Sequence, residues 1–170
     1  SMSWSRVALV ALLIVSACGF HPLYGGGEGA GTVRTEFAAI RIRPIADRTG
    51  QQLYNELRDR LNPGGQPTDP RYVLAVELQG ASEFLGLRGD QTPTRTNLTL
   101  SASYTLTDAA TGKMVTRGQS RSTISYDILR TEFATIASGS DARARGVSDL
   151  ADDIRTRLAV FLSQPAAGSP

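Results

Sequence analysis

The clearest pattern in the chain is an alternation of apolar and polar residues over residues 95–108, RTNLTLSASYTLTD. One set of alternate residues, here called the apolar parity, is apolar or aromatic: Leu98, Leu100, Ala102, Tyr104 and Leu106. The other parity is polar but uncharged: Asn97, Thr99, Ser101, Ser103, Thr105 and Thr107. Because successive side chains of a strand point to opposite faces, this pattern predicts a long strand with one face in a core. A hairpin loop with Gly112 follows, and a mostly polar strand over residues 114–125 is predicted to return beside it.

Two more strands are predicted upstream of this hairpin. Residues 37–43, FAAIRIR, place Ile40 and Ile42 on one face, and Pro44 ends the run. Residues 71–79, RYVLAVELQ, alternate in the same way, and the pattern allows the strand to continue past a glycine into residues 84–87.

Apolar residues at helical spacing predict two main helices. Leu53, Leu57 and Leu61 recur every four residues in QQLYNELRDRL, whose residues 58–60 are predicted to face water. A longer stripe near the C-terminus has steps of three and four: Val147, Leu150, Ile154, Leu158 and Phe161. A second, shorter helix over residues 128–137 is expected to lead into it.

The predicted order is strand, helix, three strands, helix. A sheet with one apolar face and two helices with one apolar stripe each bury those surfaces most economically against one another. We therefore expect an α+β fold, a two-layer sandwich with a mostly four-stranded sheet and two main helices packed on one face. This single domain is expected to span residues 36–163, with residues 164–170 as a disordered tail.

The first residues have the order of a secretory signal peptide. Arg6 precedes nine apolar residues, VALVALLIV, which are followed by the small residues Ser16 and Ala17. Nine helical residues span only about half of a ~30 Å hydrocarbon core, so this segment is too short for a transmembrane helix. Residues 1–17 are therefore predicted to be a signal peptide.

The only cysteine of the chain, Cys18, follows this segment directly. The run VSAC is similar to a bacterial lipobox, in which the cysteine sulfur is lipidated and becomes the first residue of the mature chain. The alternative is an ordinary secreted protein with a chance cysteine at this position. Gly19 is typical of lipoproteins that are sent to the outer membrane, and the glycine-rich stretch within residues 18–35 is expected to be a flexible tether.

Composition excludes several functions. Without residues 1–17 the chain has 17 basic and 16 acidic residues, which gives no global attraction to nucleic acid. His21, the only histidine, lies three residues from the predicted lipid, and there is no Cys/His spacing for a metal. Asp152 and Asp153 are about 100° apart on a helix and are predicted to face solvent. No catalytic residue, metal ligand or cofactor other than the covalent lipid on Cys18 is predicted, although carboxylates from distant segments could still pair.

Four segments together resemble one known family: CGFHPLYG after the lipobox, IRPIADRTGQQLYNELRDRL, the strand pair between Tyr104 and Tyr126, and the helix with Leu150, Ile154 and Leu158. The chain resembles the LptE-like lipopolysaccharide-assembly lipoproteins, in their alphaproteobacterial form, from residue 18 to about residue 162. The resemblance implies a protein without enzymatic activity that is lipid-anchored on the periplasmic side of the outer membrane. It also implies that the protein plugs and helps assemble an LptD-like β-barrel translocon and binds lipopolysaccharide.

Two other functions are compatible with the residues alone. One is a generic outer-membrane lipoprotein that scaffolds a different envelope machine, and a co-purifying barrel would distinguish it from the first. The other is a lipid-anchored hydrolase, which requires a cleft with two converging carboxylates.

With lipopolysaccharide as the expected ligand, four arginines are candidate contacts. Arg88 and Arg95 lie in and beside the loop before the long alternating strand, and Arg117 and Arg121 share one parity on the returning strand. We expect Arg117 and Arg121 to lie on one side of the sheet, about 7 Å apart, where two guanidinium groups could bind lipid A phosphates. The alternative is that these arginines pair with nearby carboxylates or with water.

Overall fold

A computed structural model describes residues 28–87, 93–128 and 131–164 of the chain. Residues Thr32–Pro170 form one compact unit that contains the whole sheet. The elements follow in this order: α1 (Glu28–Ala38), β1 (Ile40–Ile42), α2 (Asp47–Leu61), β2 (Tyr72–Leu87), β3 (Pro93–Asp108), β4 (Met114–Asp127) and α3 (Glu132–Ser163).

The four strands form one sheet in the order β1-β2-β3-β4. The short β1 is parallel to β2, whereas β2, β3 and β4 are antiparallel neighbours. Leu74 lies opposite Leu106, and Leu100 lies opposite Ser122. The predicted continuation of β2 past Gly80 is confirmed, since the strand reaches Leu87.

The core lies between the sheet and the helices. The apolar parity of β3 is buried, and so are Leu53, Leu57 and Leu61 of α2. Val147, Leu150, Ile154 and Leu158 of α3 are at most 1% exposed. The predicted α+β fold, with a four-stranded sheet and two main helices on its apolar face, is thereby confirmed.

The chain before β1 differs from the prediction. Residues 28–35 were expected to be tether and Phe37 was expected to begin a strand, but both belong to α1. Val33 and Phe37 lie one helical turn apart, and they pack against the core, where Phe37 is buried. A single apolar pair that follows two glycines is too short a pattern to indicate a helix.

The last helix is continuous over 32 residues, so the prediction of a separate shorter helix over residues 128–137 is wrong. Ile128 still belongs to the sheet, because its N–H donates to the carbonyl of Thr94 at 3.0 Å. Gly139 does not break the helix, and a Cβ there would lie in ordinary contact with the ring of Tyr126 at 3.5 Å. Gly146 is the glycine that permits close packing on β4, since a Cβ there would lie 2.5 Å from Ile124 Cδ1. No helix in the described ranges combines the length and the apolar character needed to cross a membrane.

Arg60 was predicted to face water but joins the two main helices. Its Nε donates to Asp152 Oδ1 at 2.6 Å, and its Nη2 donates to Ser148 Oγ at 2.8 Å. A hydrogen bond from Arg60 lowers the pKa of Asp152, against a smaller opposing effect of burial. The expectation of a solvated face is therefore wrong for Arg60, whereas the side chain of Asp152 is 63% exposed as expected and the ion pair between Arg58 and Asp59 is exposed.

Candidate functional site

The sheet face opposite the helices, here called the outer face, is built from alternate residues of β2, β3 and β4. The register places Ser101 between Gln79 and Arg121, and Thr105 between Ala75 and Arg117. Side chains directly opposite each other in antiparallel strands share a face. The outer face therefore contains the uncharged polar parity of β3 in its middle row.

Hydroxyl and amide groups of this middle row bond to neighbours along the surface. Thr99 Oγ1 lies 3.1 Å from Thr123 Oγ1, and Ser125 Oγ donates to Asn97 Oδ1 at 2.5 Å. Thr107 Oγ1 donates to the carbonyl of Val73 at 3.3 Å. The row is thus a surface of short side chains with spare donors and acceptors and without charge from Asn97 to Thr107.

In the rows from Asn97 to Thr107, the charged residues of β2 and of β4 have opposite sign. Glu77 and Glu83 of β2 lie opposite Ser103 and Asn97, on the side toward β1. Arg117 and Arg121 lie on the other side, on β4. Since adjacent strands are about 4.8 Å apart, the neutral row separates an acidic flank from a basic flank by about 10 Å.

The structure places Arg117 and Arg121 on the predicted common face, and both are exposed. The expected spacing is wrong, because the two residues are four positions apart and a strand rises about 3.3 Å per residue. Their Cα atoms are therefore roughly 13 Å apart, instead of the predicted 7 Å. Neither arginine forms an ion pair with any residue of the described ranges.

The other candidate residues do not join this pair. Arg95 lies on the outer face six positions further along the sheet, where its Nε donates to Asp127 Oδ1 at 3.2 Å. Arg88 and Cys18 lie outside the described residues. Of the four arginines, the structure thus brings Arg117 and Arg121 to one basic flank, and it shows Arg95 already paired.

A polar seam between β4 and α3 was missed in the sequence. Ser122 Oγ donates to Asp149 Oδ2 at 3.0 Å, and Arg157 Nε donates to Asp153 Oδ2 at 2.7 Å. Burial of Asp153 raises its pKa, but the hydrogen bond from Arg157 and its positive charge act in the opposite direction, and the net pKa is lowered. The spacing of four between Asp149, Asp153 and Arg157 was a signal for one helix face, which lies over β4.

A cavity of about 240 Å³ lies on the other side of the sheet, between the β2–β3 hairpin and the start of α2. Leu78, Leu98 and Leu100 form its apolar floor, and Asp47 and Arg143 lie at its polar rim. Among the described residues of its lining Asp47 is the one carboxylate, so those residues do not supply the acid pair that a hydrolase requires. Among the described residues, no three His, Cys, Asp or Glu side chains could hold a metal together.

One family model matches most of the chain. The family model "LptE: Lipopolysaccharide-assembly" matches residues 37–158. No curated protein sequence matches the chain at a significant level.

Solved structures share the fold. A protein of Caulobacter crescentus CB15 classed as a lipoprotein has 25% identity and a TM-score of 0.67, over 81% of this chain and 99% of that chain. A minor lipoprotein from Acinetobacter baumannii has 21% identity and a TM-score of 0.58, over 72% and 92% of the respective chains. Rare lipoprotein B from Shewanella oneidensis has 16% identity and a TM-score of 0.59, over 71% and 93%.

Proposed function

The chain belongs to the LptE family of lipopolysaccharide-assembly proteins, and we propose that it is a non-enzymatic outer-membrane lipoprotein that binds a β-barrel lipopolysaccharide translocon. The match over residues 37–158 carries the proposal, because it includes all four strands and most of both main helices. The fold that the chain shares with lipoproteins of three other bacteria supports it.

Cys18 is the proposed membrane anchor. The apolar run, the small residues and the cysteine follow one another in the order of a lipobox. Each buried acyl CH₂ contributes roughly 0.8 kcal/mol, so a multiply acylated cysteine would hold the domain at the membrane stably.

The outer face is the surface that we assign to the barrel wall. A lumen of this type is wet and polar, so a plug does not need a large apolar surface to bind it. Hydroxyl groups such as those of Thr99, Ser101 and Thr105 can donate or accept wherever the wall presents a partner. A lone charge in the same row would lose its water without compensation. The neutral middle row is therefore better suited to a broad polar contact than an ordinary charged surface.

Arg117 and Arg121 are the proposed contacts for lipopolysaccharide. The Cα atoms of the two arginines are roughly 13 Å apart, so side chains that extend straight out from the sheet reach two separate phosphates and not the same one. The two phosphates of lipid A stand at opposite ends of a disaccharide, so one arginine for each phosphate fits this spacing better than a shared site. Each charge-assisted, bidentate contact contributes roughly 1.5–3 kcal/mol. Arg95 and Arg88 remain secondary candidates, Arg95 because Asp127 already accepts its hydrogen bond.

Depletion of the protein in its own cells tests this function. We expect newly made lipopolysaccharide to be retained inside the cell and its amount at the cell surface to fall. Normal surface lipopolysaccharide after full depletion would contradict the proposal. Loss of a different envelope complex instead would favour the generic scaffold.

A further inference from the structure

β4 forms one edge of the sheet over 14 residues, roughly 45 Å. Ile128, just after it, donates its N–H to Thr94 of β3. Because backbone groups alternate in direction along an antiparallel strand, even-numbered residues of β4 point toward β3 and odd-numbered residues point away from it. Between the irregularity near residue 115 and the last residue of the strand, five residues direct both N–H and C=O groups out of the sheet, and we call them the open edge: Arg117, Gln119, Arg121, Thr123 and Ser125.

The open edge lacks most of the devices that usually protect an edge strand, although two of its residues, Arg117 and Arg121, are charged. Within the described ranges no backbone hydrogen bond and no strand reaches these five residues from outside the sheet. β4 has no proline, and the one irregularity in its pairing lies near its start, opposite Leu106 and Thr107. The opposite edge of the sheet, by contrast, is the three-residue β1. A long, regular and unpaired edge is a template for an additional strand.

We propose that the open edge binds an extended segment of a partner protein, which adds a fifth strand to the sheet by backbone hydrogen bonding. The inference rests on the proposed function, which supplies the partner: a strand or loop of the barrel translocon. It adds the part of the chain that engages this partner and the type of bond that forms. The new strand lies beside β4 and not over it, so it does not cover the outer face of β4.

Charges on the two sides of the edge indicate the chemistry of the segment. Arg117 and Arg121 border the open edge on the outer face. Asp149, which accepts the hydrogen bond of Ser122, borders it on the helix side. Alternate side chains of an added strand would therefore meet cations on one side and a carboxylate on the other. A segment with acidic or hydroxyl residues facing outward and a basic residue facing α3 is complementary to both.

A second copy of the chain is a poorer occupant. Two β4 strands paired antiparallel about Gln119 would place Arg117 opposite Arg121 of the second copy, which is destabilising. Pairing about Ser122 would place Arg117 opposite Asp127 of the second copy. It would also bring the two copies of Asp149 together, because Asp149 accepts the hydrogen bond of Ser122. Each arrangement thus opposes like charges.

Amide hydrogen exchange on the purified complex with the barrel tests the inference on the unaltered chain. We expect the amides of the open edge to exchange roughly tenfold or more slowly in the complex than in the free protein. Amides of Ser120, Ser122 and Ile124, which point toward β3, serve as internal controls and should change much less. Unchanged exchange at the open edge, in a complex that does contain the barrel, would overturn the inference and leave the proposed function intact.

Proline variants give an independent measurement. Gln119→Pro and Thr123→Pro remove one outward donor each, at edge positions where no ladder bond is lost. Gln119→Ala and Thr123→Ala are matched controls that shorten the side chain but keep the N–H. We expect each proline variant to recover roughly tenfold less barrel than the alanine variant at the same position. Equal recovery by all four variants would contradict strand addition.

Two further results are distinguishable. If the unaltered chain recovers no barrel, the proposed function fails and this inference fails with it. If the open-edge amides of the isolated protein become protected as its concentration rises, the occupant is a second copy, and the assignment to the barrel is wrong.

Discussion

Asn62, just past the end of α2, holds the connection between α1 and β1. Its Nδ2 donates to the carbonyls of Phe37 at 3.0 Å and of Ile40 at 3.1 Å, and the residue is 3% exposed. One buried amide thus bonds to the last turn of α1 and to the first residue of β1. This fixes the edge of the sheet where β1 pairs with β2.

We expect Asn62→Ala to lower the free energy of unfolding by about 1–3 kcal/mol, because it leaves two buried carbonyls without these donors. Asn55→Ala, on the exposed side of the same helix, is the control and should change stability by less than about 0.5 kcal/mol. Urea unfolding of the three proteins measures both effects. Equal stabilities would show that the buried amide does not hold β1 in place.

Leu57 of α2 and Ile154 of α3 are both 0% exposed. Replacing either with alanine is expected to cost about 2–5 kcal/mol, through lost transfer energy and the cavity that remains. Val160→Ala, at a position that is 45% exposed, is the control. Losses below about half a kcal/mol at both core positions would contradict the assigned fold.

The hydrogen bond between Arg60 and Asp152 predicts an acid-dependent contribution to stability. Because Arg60 lowers the pKa of Asp152, the contribution is fully present above the ordinary carboxyl pKa of about 3.9 and is lost as the pH falls through the lower folded value. Arg60→Ala is expected to cost about 1–2 kcal/mol at pH 7. The cost should shrink as the pH falls below about 4, because Asp152 of the unfolded chain takes up a proton there before Asp152 of the folded chain does.

Arg58→Ala is the matched control in the same helix, since Arg58 and Asp59 form an exposed pair. Its effect is expected to stay within about 0.5 kcal/mol at every pH. A cost for Arg60→Ala that does not vary between pH 7 and pH 3 would show that Asp152 is not the relevant partner.

The strands and helices were predictable because each shows a regular repeat of apolar residues within its own segment. Leu98 to Leu106 alternate over the whole of β3, and Leu57 and Ile154 lie on unbroken stripes, so neighbouring residues were sufficient evidence. Asn62 and Arg60 could not be assigned in this way. Both are polar, and their burial depends on partners distant in sequence: Arg60 and Asp152 are 92 residues apart.

In the candidate site, too, local alternation was predictable and contacts between distant residues were not. Alternation was sufficient to place Arg117 and Arg121 on one face of the sheet. The predicted separation of about 7 Å is wrong, because four residues of a strand span roughly 13 Å. The pairing of Arg95 with Asp127 depends on the register between β3 and β4, which alternation alone does not determine.

Lipopolysaccharide binding is expected to weaken at least about tenfold in the double variant Arg117→Ala, Arg121→Ala, because two charge-assisted contacts are lost. Thermal stability should be nearly unchanged, as both side chains are exposed. Arg143→Ala with Arg145→Ala removes the same charge from exposed positions on α3 and is the control. Equal binding by both double variants, including at low salt, would remove this site.

Cys18→Ala is expected to block lipid transfer, so that the protein expressed alone no longer fractionates with outer membranes. The domain itself should still unfold cooperatively, since the core described here begins beyond residue 32. Mass spectrometry of the recovered protein measures the acyl groups directly. A normally acylated Cys18→Ala protein would contradict the assigned anchor.

Extraction of the tagged protein from its own cells in mild detergent, followed by size-exclusion chromatography and mass spectrometry, tests the central claim most directly. The account predicts a stable complex with a large outer-membrane β-barrel, present in equal molar amount. A protein that elutes as a monomer, with no barrel attached, would contradict it.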